Sequence, residues 1–219
     1  MGVPALLDHV VLAGPDLAAA IAAVERATGV RASPGGAHPT GTANALIAFT
    51  RRGERVRQYL EVIGPDAAAG RSASEISTFG LDRLSAPAVA NWAIRPDDLD
   101  TTVARARTAG VGLRGIEPLS RRTPDGGELA WRLARPEDER RPPFLIDWGA
   151  TAHPGLADLP LLELVALRRR TTEVESEGRR LRALGVAVGS GDDELELVPA
   201  ATDGLEVEIA LDGRSVVLR

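Results

Sequence analysis

Three residues carry side chains suited to acid–base or metal chemistry at positions that a fold could bring together: His9, His38 and Glu61. His9 lies in the apolar run Leu6 to Ala13, which reads as a strand. Strict alternation puts Leu7 and Val11 on its face and Asp8 and Val10 on the other. A buried imidazole among aliphatics needs a hydrogen-bond partner or a metal. Glu61 shares a strand face with Tyr59 and Ile63, and a carboxylate there also needs a partner. One histidine and one glutamate in a single concavity supply donors for Zn, Fe, Mn or Ni as divalent ions. The alternative is a structural His–Glu hydrogen bond. His38 sits in the sharply bent loop Gly35 to Gly41. There it is a candidate general acid or base, a third ligand beside His9 and Glu61, or simply a loop-stabilising partner of Pro39. Thr42 and Asn44 alternate along the strand that follows, so Asn44 is a candidate ligand contact.

A second group of residues reads as a ligand wall. Arg121 and Arg122 are adjacent in a loop, where an arginine aimed inward would clamp a carboxylate or phosphate; a solvated pair is the alternative. Asp125-Gly126 reads as a turn. By parity Phe144, Ile146 and Trp148 share one strand face, and with Trp131 they are candidates to wall an apolar or planar pocket, against the alternative of ordinary core. His153 reads as a surface linker residue with no assigned role.

These residues require a scaffold of short strands. After the first strand, Asp16 is a candidate N-cap for a helix with Leu17, Ile21 and Val24 on one face, ending near Gly29. A Gly/Pro-rich loop from Ser33 to Thr42 leads to strands near Ala43 to Thr50 and Arg57 to Ile63. The pattern then recurs. Val89 to Arg95 is a strand, Leu99, Val103 and Ala106 line a helix, a loop spans Leu119 to Gly127, and strands follow near Glu128 to Ala134 and Phe144 to Gly149. Leu17 recurs as Leu99, Gly41 as Gly126, and Ile63-Gly64 as Trp148-Gly149 at a nearly constant offset. This duplication puts Asn91 opposite His9, as a further candidate ligand contact, and Ile146 opposite Glu61, or Asp147 after a one-residue shift. Residues 66–87 read as a linker. Residues 155–219 form a C-terminal α/β module whose element order suggests a third βαβββ copy, or else an unrelated α/β tail.

Composition removes several function classes. The chain has 219 residues, is 44% hydrophobic and has no cysteine, which excludes disulfides, thiolate metal sites and cysteine nucleophiles. Every one of its 26 basic residues is arginine, so lysine-dependent chemistry is excluded too. The net charge is -5 with arginines scattered among acids, which gives no basic face for nucleic acid. No apolar run approaches the ~20 residues of a membrane span, and no signal peptide is evident. A soluble cytoplasmic protein is the expectation.

The residues Leu7-Asp8-His9, Gly35-Gly36-Ala37-His38-Pro39, Gly41-Thr42-Ala43-Asn44 and Tyr59-Leu60-Glu61 resemble, within a βαβββ duplication, the vicinal oxygen chelate superfamily. The stretch Arg121-Arg122-Thr123-Pro124-Asp125-Gly126, Trp131 and Pro143-Phe144-Leu145-Ile146-Asp147-Trp148 is similar to the bacterial glyoxalase-like domain group. The resemblance covers roughly residues 6–154, within a domain of residues 1–154 made of modules 6–64 and 88–150. It implies an α+β fold in which paired βαβββ modules form one incomplete, strongly curved mixed sheet, with helices outside and a pocket in the concave face. It also implies a divalent metal held by first and last strands, with His9, Glu61 and His38 as ligands, in a lyase, isomerase or dioxygenase. Asn91 and Ile146 depart from the expected metal quartet. That departure keeps two metal-free readings open: a ligand-binding or drug-sequestering protein, and an enzyme using His38 and Glu61 as an acid/base pair. A homodimer is expected, with the unpaired third module packing against its counterpart or capping an open sheet edge.

Overall fold

A computed structural model of the chain describes residues 2–123 and 126–219. The first module runs β1 (Leu7–Ala13), α1 (Leu17–Thr28), β2 (Ser33–Ala37), β3 (Thr42–Arg51) and β4 (Glu54–Pro65). Asp16 caps α1 by accepting from the Ala19 amide, and Gly29 ends it at φ 77°, a left-handed conformation that only glycine adopts cheaply. The second module repeats the order: β5 (Ala88–Ile94), α2 (Leu99–Thr108), β6 (Glu117–Arg122), β7 (Glu128–Ala134) and β8 (Phe144–Asp147). Asp98 caps α2 as Asp16 caps α1.

Two strands lie where the sequence suggests loops. Both β2, within Ser-Pro-Gly-Gly-Ala, and β6, a largely polar run, owe their conformation to neighbours rather than to local preference. β2 pairs antiparallel with β3, with a register shift between Pro34 and Gly36, the kind of irregularity that glycine accommodates. β6 pairs antiparallel with β7 over its whole length.

Strand β1 lies parallel to β4 and antiparallel to β5, and β5 lies parallel to β8. From these central strands the sheet continues through β3 and β2 on one side and through β7 and β6 on the other. The two arms meet where Ala37 of β2 stands opposite Arg122 of β6. The curved sheet therefore closes into a barrel-like ring of the first eight strands, where the sequence suggests it stays open. Residues 66–87 hold three short 3₁₀ turns, and Ile76 and Leu81 from this segment are buried.

The C-terminal segment has the expected element order: β9 (Leu161–Thr171), α3 (Val174–Ala183), β10 (Glu196–Pro199), β11 (Gly204–Leu211) and β12 (Arg214–Leu218). Its pairing differs from the first two modules. β9 is parallel to β10 and antiparallel to β11, so the first strand does not pair with the last. β9 also runs parallel to β3 along Ala48 to Thr50, beyond Leu46, where the β2 register ends. It thus caps the free edge of β3. Leu162, Leu164 and Leu167 join the same apolar core as Val10, Leu12, Leu60 and Trp92. A smaller apolar cluster, including Val11, Tyr59, Ile63, Phe144 and Ile146, lies on the other face of the central strands. Among the described residues, no helix is long and apolar enough to cross a membrane.

Candidate functional site

The site begins at an irregularity in β1. Leu7 stands opposite Ile94 but His9 stands opposite Ala93, a one-residue shift between them. Such a bulge breaks strict alternation. Leu7 therefore joins the core with Val10 and Leu12 instead of sharing the face of His9, and Asp8 turns toward His9 rather than away. The Asp8 carboxylate, fully buried, accepts from His9 Nδ1 at 2.7 Å, His153 Nε2 at 3.0 Å, Trp148 Nε1 at 3.2 Å and an Arg95 guanidinium nitrogen at 3.1 Å. Burial alone would push this carboxyl up. The hydrogen bonds from His153 and His9, together with the electrostatic pull of the two rings, outweigh burial and hold it below the usual carboxylate range.

An ionised Asp8 only accepts, so His9 Nδ1 and His153 Nε2 must carry the hydrogens. His153 Nδ1 is then free to accept from the Gly155 amide, 3.1 Å away. Burial pushes the His153 imidazole down, against the pull of Asp8. For His9 the consequence is that Nε2 faces Glu61, with 3.7 Å to Oε2. Tyr59 stacks on the His9 ring at 4.6 Å, and Phe144 meets it edge-on at 5.3 Å. The Tyr59 hydroxyl is pushed well above its ordinary range by burial and by the nearby Asp8 and Glu61 charges.

Glu61 is fixed from β3, where Asn44 Nδ2 donates to Oε1 at 2.5 Å. His38, just past β2, is half-buried, and its Nδ1 lies 2.9 Å from Thr42 Oγ1. Burial lowers its pKa, Glu61 raises it and Arg121 lowers it, with a net downward shift that favours the neutral ring. Arg121 is buried on β6 and donates through Nη1 to the Gly35 carbonyl. Burial lowers its pKa, partly offset by Tyr59 and Glu61.

These groups surround a cavity of about 310 Å³. Its polar side includes His9, His38, Thr42, Asn44, Glu61, Arg121 and Arg135, and its apolar side includes Phe79, Trp131, Phe144, Ile146 and Trp148. The structure thus brings together nearly all the residues singled out from sequence. Two stand elsewhere. Asn91 is buried opposite Val11, its Oδ1 accepting from the Trp92 amide at 2.8 Å, because the register puts Ala93 across from His9. Arg122 is exposed, since alternation along β6 turns it away from Arg121. Ile146 lies on the cavity wall. Asp147 instead pairs with Arg132 at 2.6 Å, so the one-residue shift does not occur. Pro124 and Asp125, with the turn expected there, lie outside the described residues.

The residues do not fit the expected metal. His9 Nε2 and Glu61 are two donors 3.7 Å apart, and the second module supplies Ile146 on the cavity wall where a further donor is expected. Among the described residues, no three His, Asp or Glu side chains come close enough to hold an ion, whereas catalytic metal sites normally take at least three protein ligands.

Sequence reasoning missed Asp8 and His153. The signal for Asp8 was a second ionisable residue beside His9 in an otherwise apolar strand. For His153 it was the small-residue setting Ala152-His153-Pro154-Gly155, which allows close packing.

A family model described as a glyoxalase-like domain matches residues 7–185. No curated protein sequence matches the chain. A solved hypothetical protein from Staphylococcus aureus is 14% identical, with a TM-score of 0.63 over 96% of this chain and 97% of that one. A variant of 4-hydroxymandelate synthase from Streptomyces coelicolor is 12% identical, with a TM-score of 0.53 over 98% of this chain and 62% of that one. A variant of methylmalonyl-CoA epimerase from Streptomyces coelicolor is 24% identical, with a TM-score of 0.45 over 66% of this chain and 97% of that one. The first two likenesses establish the fold, and the third is too distant to argue from.

Proposed function

The chain belongs to the glyoxalase-like domain family, within the vicinal oxygen chelate superfamily, and on that premise we propose that its cavity is a metal-independent acid–base site for a small organic molecule. Glu61 is the base and His9 its proton partner. The observation that carries this reading is the series Asp8, His9, Glu61: a buried carboxylate orients an imidazole whose other nitrogen faces a second carboxylate on the cavity wall.

Proton transfer follows from the donor and acceptor assignments. With Nδ1–H given to Asp8, His9 Nε2 and Glu61 Oε2 are both acceptors until one proton is placed between them. Asn44 holds Oε1, which leaves Oε2 as the working oxygen. Glu61 takes a proton from a carbon next to a carbonyl or carboxyl group, and the electron pair of that C–H bond moves into the enolate. Glu61 returns the proton to the same carbon, or passes it to His9 Nε2, which then delivers it to the opposite face of that carbon. The net change is inversion at that carbon, or exchange of its hydrogen with solvent, and needs no co-reactant. His38, half-buried and sensitive to the Glu61 charge, passes protons to solvent.

The test is deuterium exchange from D₂O at the carbon adjacent to the carbonyl, followed by proton NMR, in a panel of small 2-oxo acids, arylacetic acids and ketones. The expected result is exchange that survives exhaustive EDTA dialysis and falls about 10²–10⁴-fold in Glu61→Gln. Exchange that requires an added divalent ion, or that persists in Glu61→Gln, would overturn the reading. Saturable binding with no exchange would leave a ligand-binding protein in its place.

A further inference from the structure

The fold treats its two most deeply buried arginines differently. Arg169 on β9 is 3% exposed and is paired with Glu177 at 3.1 Å and Asp203 at 2.8 Å. Arg121 is 5% exposed, and among the described residues no carboxylate comes within ion-pair distance of it. Among the described residues, its side chain donates to the neutral Gly35 carbonyl. Buried charge is ordinarily paired, because removing it from water otherwise goes uncompensated. Glu61 and Tyr59 influence Arg121 only at longer range.

The backbone around Arg121 is shaped to admit it. Gly36 has φ 149°, and a Cβ there would come within 2.7 Å of Arg121 Nη1 and also strike the Arg122 carbonyl. At Gly35 a Cβ would collide with the Asn44 side chain that holds Glu61. Gly35 and Gly36 therefore let the guanidinium lie against β2 while it lines the same cavity as Glu61 and the aromatic wall.

We propose that Arg121 is an anion seat and that the ligand of this cavity carries a carboxylate, docked on the guanidinium N–H groups not used by Gly35, with its planar body against Trp131 and Trp148. A guanidinium presents five donors in a planar fork matched to a carboxylate, which takes two parallel hydrogen bonds. A monoanion suits the site better than a dianion, because the Glu61 carboxylate on the same cavity repels each added negative charge, and the other arginine of the lining, Arg135, is already paired with Glu117 at 3.2 Å. The pairing also orients the ligand: its anchored end lies on β6, and the carbon beside it is presented toward β4, where Glu61 stands. The proposal rests on the reading of this cavity as the ligand site but not on the proton-transfer step.

The experiment compares phenylacetate, phenylacetamide and benzylphosphonate by quenching of tryptophan fluorescence, since two of the three tryptophans line the cavity. Wild-type protein is expected to bind phenylacetate about tenfold or more tightly than the neutral amide and more tightly than the phosphonate. Arg121→Gln erases the preference for acid over amide, and Arg121→Lys keeps part of it. Glu61→Gln keeps the preference or strengthens it while abolishing exchange, so seat and base are read separately. Equal binding of acid and amide by the wild type overturns the seat, as does a preference that survives in Arg121→Gln. If the phosphonate binds more tightly than the acid, the carboxylate assignment falls. If none of the three binds at about 10 mM, a weak affinity by any standard, the cavity reading and the seat fall together. The wild-type comparison does not depend on whether a variant at a buried position folds.

Discussion

Asp8 Oδ2 lies 3.0 Å from His153 Nε2, with both side chains fully buried. This contact ties the first strand to the turn that follows the second module. It fixes the His153 tautomer, and the other Asp8 oxygen fixes that of His9. One carboxylate thus sets the orientation of a group on the cavity wall and of another outside it.

Replacement of Asp8 by asparagine removes the charge that four donors share. The expected loss is about 3–5 kcal/mol of unfolding free energy, the range for breaking a buried charge network, read from urea melts. An Asp8→Asn protein of unchanged stability would mean that these hydrogen bonds are not formed.

Acidification should destabilise the protein. His38 and His153 both have pKa values lowered from 6.5 on folding. Between their folded values and 6.5 the unfolded chain binds more protons, so stability rises with pH through that window and is complete above it. Asp8, also lowered, adds a contribution that is full above about 4 and is lost as pH falls toward its folded value. Thermal melting should be flat near pH 7 to 8 and fall steadily below about pH 6. His153→Gln should shrink that fall. A melting temperature that rises from pH 7 to pH 5 would contradict the assignment.

Asn44→Asp puts a second carboxylate beside Glu61 where an amide now donates. Like charge favours the protonated form of the pair, so the acid limb of the exchange rate against pH should move up by about one unit or more. Asn44→Ala should lower the rate with a smaller displacement of that limb. Identical profiles for both variants would show that Asn44 does not act through Glu61.

Two glycines with positive φ separate backbone strain from site damage. Gly36 is crowded by Arg121 and Arg122, whereas a Cβ at Gly53 meets nothing within 4 Å. Each alanine variant should lose about 1–2 kcal/mol from conformation alone. Gly36→Ala should lose more and should also lose acid binding, which calorimetry and fluorescence titration would resolve. Equal behaviour of the two would remove β2 from the site.

Local signals made much of this molecule legible in the chain. The caps Asp16 and Gly29 bound α1 as expected, and Tyr59, Glu61 and Ile63 share the cavity face that parity assigned to them, as do Phe144, Ile146 and Trp148. The failures come from pairing between distant segments. The bulge that turns Asp8 toward His9 is set by β5, some eighty residues away, and no local pattern announces it. The strand character of Ser33 to Ala37 comes from β3, against the local tendency of proline and glycine. His153 looks like a linker residue because its charged partner, Asp8 on β1, lies 145 positions away.

Among the described residues, the joint between β2 and β6 has one registered pair, Ala37 opposite Arg122. His38 follows the first of these residues and Arg121 precedes the second, so the two modules meet with one cavity group on each lip. Few backbone hydrogen bonds hold this place, and local opening costs least where such bonds are fewest. A ligand touching both His38 and Arg121 would act as a rivet across the seam, and its occupancy would be legible as slowed amide exchange at the ends of both strands. Recognition and mechanical fastening of the ring are then a single event.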